Sequence, residues 1–348
     1  QYWKVIVSTG MECREVPMTT DDPRYMVPDS VESATNLFTA ENNAAYLAGG
    51  TDLMPHLRNG LYRPSCLIDL EKVDDLKKVE EREDALFIGA MTNLARIAEE
   101  EPVNRLFPSV ARAARSIGTP QIRNVATMGG NLLQEKRCIY LNQSEFWREN
   151  IVPCHRLGGS CCHQTPKALE CRAIYYSDLA PILMAYEARA VVFDGLSYGE
   201  ETIGDLIHRH CHGTPDGRLL TGILIPHRYD GSSGIFMKYG VRHAIDFAFS
   251  NVGIRFTPQK KDGKGATLAI VVGAVAPVPV RLVETEKEVL AELGKPVVDR
   301  VRIFSLAHRE LQSRSATIRE FTVSLKGKQN ALLIIMDALR AFFNTLGR

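Results

Sequence analysis

The sequence predicts an α+β protein, α/β in its first two-thirds and passing from strands into helices in its last third. Strand-like runs alternate with helical segments up to about residue 226, and beyond it candidate strands precede two helices. Between these parts, from Tyr140 to Arg172, periodicity of either kind disappears. The length of 348 residues exceeds one compact core and suits two or three domains of roughly 100–200 residues each.

After an irregular start, Val31–Thr39 (VESATNLFT) reads as a short helix, and Ala44–Leu47 as a buried strand running into Gly49-Gly50. Thr51 can cap a helix through Asp52, Leu53 and His56, with Pro55 tolerated in its first turn. Leu67–Leu70 and Leu86–Ile88 read as strands, the second bounded by Gly89, and Met91–Glu100 and Leu106–Ser116 as helices. Past the aperiodic stretch, Ser177–Ala188 reads as a helix and Ala190–Phe193 as a strand. The turn-rich Pro226–Gly234 (PHRYDGSSG) marks a domain boundary. Beyond it come strands at Ile235–Tyr239, Phe247–Phe256 and Thr267–Val275, then helices near Leu282–Glu292 and Lys328–Leu346.

Composition removes several functional classes. Lys and Arg total 42 against 41 Asp and Glu, for a formal charge of +1. That balance argues against a nucleic-acid-binding surface, which needs a surplus of cations. No apolar run approaches the roughly 18 residues of a bilayer span, and the longest candidate, near Leu268–Val280, is cut by Pro277 and Pro279. The first residues (QYWKVIV) do not read as a secretory signal. The expectation is a soluble, cytoplasmic protein without a membrane span.

Four places carry candidate chemistry. The first is Leu47-Ala48-Gly49-Gly50-Thr51-Asp52-Leu53, where glycines between strand and helix let backbone N–H groups approach an anion such as a pyrophosphate. A plain strand-to-helix turn is the ordinary alternative. The second, Ala126-Thr127-Met128-Gly129-Gly130-Asn131-Leu132, repeats the Gly-Gly theme about eighty positions on. Two such turns could clasp one phosphate-bearing ligand from both sides.

The third place is a cysteine cluster. Of eight cysteines, Cys138, Cys154, Cys161, Cys162 and Cys171 fall within 34 residues, where an even scatter would place about one. Four thiolates can hold a [4Fe–4S] cluster or a structural zinc, and the spacing does not choose between them. Unligated or disulfide-bonded cysteines remain a third reading. His155 and His163 read as solvated loop residues, and Cys13, Cys66 and Cys211 as isolated thiols. The fourth place is Phe236-Met237-Lys238-Tyr239-Gly240-Val241-Arg242, where Lys238 could reach a phosphate or electron-rich ring across an interdomain crevice, or simply be a solvated strand-end charge. The alternating His208, His210 and His212 look like a metal comb but read better as a polar turn approaching Gly213.

In combination and in order, these features resemble the FAD-binding medium subunit of the molybdenum hydroxylases, the carbon monoxide dehydrogenase medium-chain or xanthine dehydrogenase flavin-domain family. The resemblance runs from about Val27 to Arg348. It rests on LAGGTDL at 47–53, IGAMTNL at 88–94, ATMGGNLLQ at 126–134, SDLAPILMAYEA at 177–188, LLTGILIP at 219–226, FMKYGVR at 236–242 and GAVAPVPVR at 273–281. It implies an FAD-binding domain of the PCMH or vanillyl-alcohol-oxidase type, made of two α/β subdomains, over residues 27–226. It further implies an N-terminal extension over 1–26, and over 227–348 a C-terminal α+β domain with an antiparallel sheet and helices.

Carried onto this sequence, the resemblance implies that Leu47, Ala48, Gly49, Gly50, Thr51, Asp52 and Leu53 wrap the FAD pyrophosphate. Thr127, Gly129, Gly130 and Asn131 would close on the same phosphates and the ribityl chain. Asp178 would hold cofactor hydroxyls, Ile117 and Leu220 would flank the isoalloxazine or adenine, and Lys238 would stand near the flavin ring. The insertion from about Lys136 to Ile174 is similar to the loop of 4-hydroxybenzoyl-CoA reductase β subunits, which carries an extra [4Fe–4S] cluster. That likeness implies Cys138, Cys154, Cys162 and Cys171 as ligands, with Cys161 a bystander. The chain would then be an electron-transfer subunit with no substrate-converting residue of its own. Its partners would be a large molybdenum-cofactor subunit, a small [2Fe–2S] subunit and a ferredoxin-like carrier. An aromatic acyl-CoA would be the substrate of the complex. The rival readings are a free-standing flavin oxidoreductase with a structural zinc loop and a non-catalytic assembly protein.

Overall fold

A computed structural model describes residues 23–212, 216–242, 245–259, 265–293, 295–314 and 329–347. Cys13, Gly213 and Lys328 lie outside the described residues. The first layer is a parallel three-stranded sheet, ordered β1 (Arg24–Met26), β3 (Cys66–Asp69), β2 (Ala44–Leu47). Helix α1 (Val31–Ala40) packs on it through Val31 and Ala34, and Ser30 caps α1 by accepting from the Ser33 N–H. Strand β1 falls inside the segment expected to be an extension. Its edge pairing is visible only through β3, because three residues are too short for a periodic signal.

Short helix α2 (Leu53–Arg58) follows the first Gly-Gly. Thr51 does not cap it: Asp52 occupies the N-cap position, in helical backbone, and its carboxylate makes no cap bond. The second layer is an antiparallel five-stranded sheet, ordered β4 (Val79–Glu81), β5 (Ala85–Gly89), β8 (Leu219–Pro226), β6 (Arg189–Phe193), β7 (Tyr198–Thr202). Helices α3 (Leu94–Glu99), α4 (Glu101–Leu106), α5 (Pro108–Arg115), α6 (Pro120–Val125) and α7 (Met128–Leu132) run between β5 and the insertion. The helix expected over 106–116 is α5, which starts two residues later at Pro108, with Phe107 separating it from the unexpected α4. The insertion contains only α8 (Glu145–Glu149) and one 3-10 turn, and α9 (Leu179–Ala185) follows it. His208, His210 and His212 are not in a turn. They belong to α10 (Ile203–His212), whose apolar stripe of Ile203, Leu206 and Ile207 packs into the core.

The third layer is antiparallel, ordered β12 (Val280–Arg281), β11 (Thr267–Gly273), β10 (Ser250–Thr257), β9 (Ser233–Tyr239). Period-2 alternation along β11 sends Leu268, Ile270 and Val272 toward the C-terminal helices, and Ala269 and Val271 into the central core. Those helices are α11 (Val283–Leu293), α12 (Arg300–Arg314) and α13 (Gln329–Thr345). On the other face of the sheet, Gly253 lets β10 approach α9, since a Cβ there would lie 2.6 Å from the Ile182 backbone. The expected α+β class is observed. Among the described residues no helix is long and apolar enough to cross a membrane.

Candidate functional site

Both Gly-Gly segments meet at one cavity of about 350 Å³. Thr51 and Asp52 line one side, Gly130 and Asn131 another, Ile117 a third, and Asp178 and Lys238 the floor. The second Gly-Gly is not a turn: it lies inside α7, which Thr127 caps by accepting from the Gly130 N–H at 3.1 Å. Backbone bonds from Leu94 N–H to the Ala126 carbonyl, Met128 N–H to Thr92, and Gly129 N–H to Ala90 pin this helix to the end of β5. With six and five residues, α2 and α7 have little macrodipole, so any anion here is held by individual N–H groups and side chains.

The glycines differ in what they permit. A Cβ on Gly49 would sit 1.9 Å from the Val125 carbonyl oxygen, so this glycine lets the end of α6 seat against the first segment. A Cβ on Gly130 would meet only the Thr127 hydroxyl, at 3.1 Å, and would otherwise stand in the cavity Gly130 lines. Gly129 is buried behind it against Ala90 and Leu220. Leu220 lies in the central core and does not line the cavity, nor do Leu47, Ala48, Gly50 and Leu53. The first three of this last group and Gly49 are half-buried.

The floor is a buried polar network. Lys238 Nζ lies 2.6 Å from Asp178 Oδ2 and donates to the Ser116 carbonyl at 3.1 Å. Asn251 Nδ2 donates to Asp178 Oδ1 at 2.6 Å, and the Ser177 hydroxyl to Asn131 Oδ1 at 2.6 Å. Burial pushes the Asp178 carboxyl pKa up, with Lys238 and Asn251 pulling against that rise. Lys238 is therefore not a solvated strand-end charge. Sequence reasoning missed Asn251, which β10 delivers from the register position opposite Lys238. It also missed Gln134, Arg137, Tyr176 and Phe247, which line the same cavity. Arg137 stacks over Phe247 at 4.4 Å and donates to Asp52 Oδ1 at 2.6 Å. The Arg137 signal was masked because it opens the aperiodic insertion.

A second, smaller cavity is lined by all five clustered cysteines, with Tyr140, Arg156, His155 and His163. Cys162 is buried and the other four half-buried. N–H groups already point at two of the sulfurs: the Ala173 backbone N–H donates to Cys171 Sγ at 3.4 Å, and the Gln164 side-chain amide Nε2 to Cys138 Sγ at 3.9 Å. Burial pushes the Cys138 thiol pKa up, opposed by hydrogen bonds from the Tyr140 and Leu141 backbone. The Cys161 thiol donates to the Pro153 carbonyl at 3.5 Å. His155 and His163 are half-buried and bond the Ala168 and Val152 carbonyls, so they are loop struts instead of solvated side chains. Among the described residues no three His, Cys, Asp or Glu side chains gather as a site for a single metal ion. Cys66 is buried in the first core, and burial pushes the Cys211 thiol up to about 11.

Residues 18–228 match the family model described as the FAD binding domain in molybdopterin dehydrogenase. The chain belongs to this family. The aldehyde oxidoreductase FAD-binding subunit of Escherichia coli is 30% identical over 286 residues, covering 76% of this chain and 84% of that protein. The nicotine 6-hydroxylase medium subunit of Paenarthrobacter nicotinovorans is 38% identical over 109 residues, 31% of this chain, and there the chain spans only 38% of its relative. Among solved structures, carbon monoxide dehydrogenase from Hydrogenophaga pseudoflava superposes with a TM-score of 0.71 at 21% identity, covering 93% of this chain and 98% of that one. Members of this family similar to the chain are flavoprotein subunits of dehydrogenases and oxidoreductases.

Proposed function

We propose that this chain is the FAD- and [4Fe–4S]-carrying electron-transfer subunit of a heteromeric molybdenum hydroxylase or reductase. The observation that carries the reading is the meeting of both Gly-Gly segments over the buried Asp178–Lys238 pair in one cavity. Residues 47–53 and Thr127, Gly129, Gly130 and Asn131 would hold the pyrophosphate and ribityl chain, with Ile117 on the apolar side and Leu220 packed behind Gly129. Asp178 would accept from cofactor hydroxyls while Lys238 keeps a positive charge near the ring. Bound FAD supplies exchange between two-electron and one-electron chemistry. On this reading residues 27–226 form the flavin-binding domain, 227–348 the C-terminal domain, and the complex is cytoplasmic.

Cys138, Cys154, Cys162 and Cys171 would hold the cluster, with Cys161 spare. Support comes from the ring of sulfurs around one cavity and from the N–H groups aimed at Cys138 and Cys171; such bonds tune cluster potentials. The partners would be a large molybdenum-cofactor subunit and a small [2Fe–2S] subunit, with a ferredoxin-like carrier docking beside the loop. An aromatic acyl-CoA such as 4-hydroxybenzoyl-CoA would be the substrate of the complex.

Anaerobic purification with natural partners, followed by flavin, iron, sulfide and zinc quantification, tests the reading. Flavin with iron and acid-labile sulfide is expected, and Cys171→Ala should lose iron while keeping FAD. Zinc without sulfide, or undiminished iron in Cys171→Ala, would overturn the cluster assignment. Absence of flavin would overturn the whole.

A further inference from the structure

The two cavities share a wall. Gln134 and Arg137 line the cavity between the Gly-Gly segments, whereas Cys138 and Arg156 line the cysteine cavity. One run of backbone, 134–138, therefore separates them. Charged groups bridge it without a gap. Asp52, which lines the first cavity, accepts from the Glu135 backbone N–H at 2.9 Å. The Glu135 carboxylate accepts from Arg156 Nη2 at 2.6 Å, and the same nitrogen donates to the Tyr62 hydroxyl at 2.8 Å.

Helix α2 makes a second connection. Asp52 stands at its start, and the segment 59–63 just past its end grips the insertion. Arg148 Nη2 donates to the Asn59 carbonyl at 2.6 Å, Arg63 pairs with Glu145 at 2.7 Å, and Tyr62 receives Arg156. The insertion has little regular structure, so the entropy of ordering it must be met by contacts of this kind and by whatever fills its cavity.

We propose that Arg156 is a positioning residue that couples occupancy of the two cavities, so that filling either one raises the affinity of the other. The proposal rests on the flavin and cluster reading given above. Four thiolates bound to a common group hold Cys154, and with it Arg156, two residues on. The docked guanidinium then fixes Glu135, whose backbone N–H orients Asp52 in the dinucleotide cavity. In the reverse direction, a dinucleotide that holds Asp52 presets Glu135 to receive Arg156, and part of the loop's ordering cost is met in advance. Coupling between sites is reciprocal by thermodynamic necessity.

The test is a cycle of flavin affinities on the full 348-residue chain, prepared anaerobically and read by quenching of FAD fluorescence, with iron and sulfide measured on the same samples. The cluster-loaded parent should bind FAD at least about 5-fold more tightly than cluster-free Cys171→Ala, the lower edge of ordinary coupling. In Arg156→Ala the loaded-to-free ratio should fall to near one. Arg156→Lys, which keeps the charge without the planar fork, should fall between. A merely structural role would weaken iron retention and leave that ratio intact. Should Arg156→Ala fail to retain iron, the parent decides by itself: saturating FAD should slow iron loss to a chelator, and equal rates with and without FAD overturn the coupling. An unchanged ratio in Arg156→Ala overturns it as well. A parent lacking iron and sulfide would instead sink the cluster reading, and the proposal with it.

Discussion

Replacing Lys238 with Met probes the floor of the cavity between the Gly-Gly segments. Asp178 is 4% exposed, and in the variant its carboxylate keeps Asn251 but loses the ammonium 2.6 Å away. It can stay ionised in a buried site or take up a proton, and the cheaper option sets the cost. Holding a carboxyl of ordinary pKa 3.8 in its protonated form at pH 7 costs about 4 kcal/mol, at about 1.36 kcal/mol per unit. Removing one partner of a buried pair costs about 3–5 kcal/mol, so a loss of about 3–4 kcal/mol is expected. The sign with pH follows. The variant's folded state prefers the proton, and its unfolded state releases it above the ordinary value, so the deficit shrinks as pH falls. Near pH 5 the same arithmetic leaves about 2 kcal/mol. Urea unfolding followed by circular dichroism at both pH values measures this directly. Adding Asp178→Asn should recover most of the loss, because no uncompensated charge then remains. A deficit under about 1 kcal/mol at pH 7, with no pH dependence, would refute the reasoning.

The two glycines should respond in opposite ways. Gly49→Ala drives a Cβ into the Val125 carbonyl and should cost at least about 2 kcal/mol of stability, seen as a lower melting temperature. Gly130→Ala should leave melting unchanged or slightly raised, since Ala favours a helix by up to about 1 kcal/mol, while weakening FAD binding measured by fluorescence. Glu135 supplies an acid signature. Burial pushes its pKa up, but the Arg156 guanidinium and His210 outweigh that and hold it below the ordinary 4.5. A lowered folded pKa means a stabilisation present above the ordinary value and lost as pH falls through the folded one. Melting of the parent should therefore fall steeply at acid pH, and Glu135→Gln should flatten that limb.

The parts of the site that were legible in the sequence are those whose chemistry is local. Gly-Gly between a strand and a helix, a thiol cluster and a Lys at a strand end all declare themselves within a few residues. What could not be read depends on distant backbone. Asn251 matters because antiparallel pairing places it opposite Lys238, a register that no window around either residue contains. His208, His210 and His212 read as a turn because polar residues crowd the end of α10, while its fully buried apolar residues, Ile203, Leu206 and Ile207, sit in its first half. Leu220 looks like a ligand-facing residue by its motif, yet β8 is an inner strand and buries it against Gly129.

The place of the insertion follows from the wall it interrupts. Helix α7 and the start of α9 must stay together, because the Ser177 hydroxyl bonds Asn131 at 2.6 Å across the cavity edge. An excursion between them is tolerated only if it leaves and returns at one point. It does so through a two-residue neck, in which Arg137 N–H donates to the Ile174 carbonyl at 2.8 Å and Ile174 N–H to Arg137 at 3.2 Å. Closure entropy rises only slowly with loop length, so such a neck tolerates a long insertion almost as easily as a short one. The neck also fixes a distance in sequence: Arg137 lines the cavity between the Gly-Gly segments and Cys138, the next residue, lines the cysteine cavity. Lengthening or reshaping the loop beyond the neck leaves that first thiol next to the wall the two cavities share. Cys154, Cys161 and Cys162 lie far from the neck along the chain, and the contacts of residues 59–63 with Glu145, Arg148 and Arg156 hold that stretch of the loop in place.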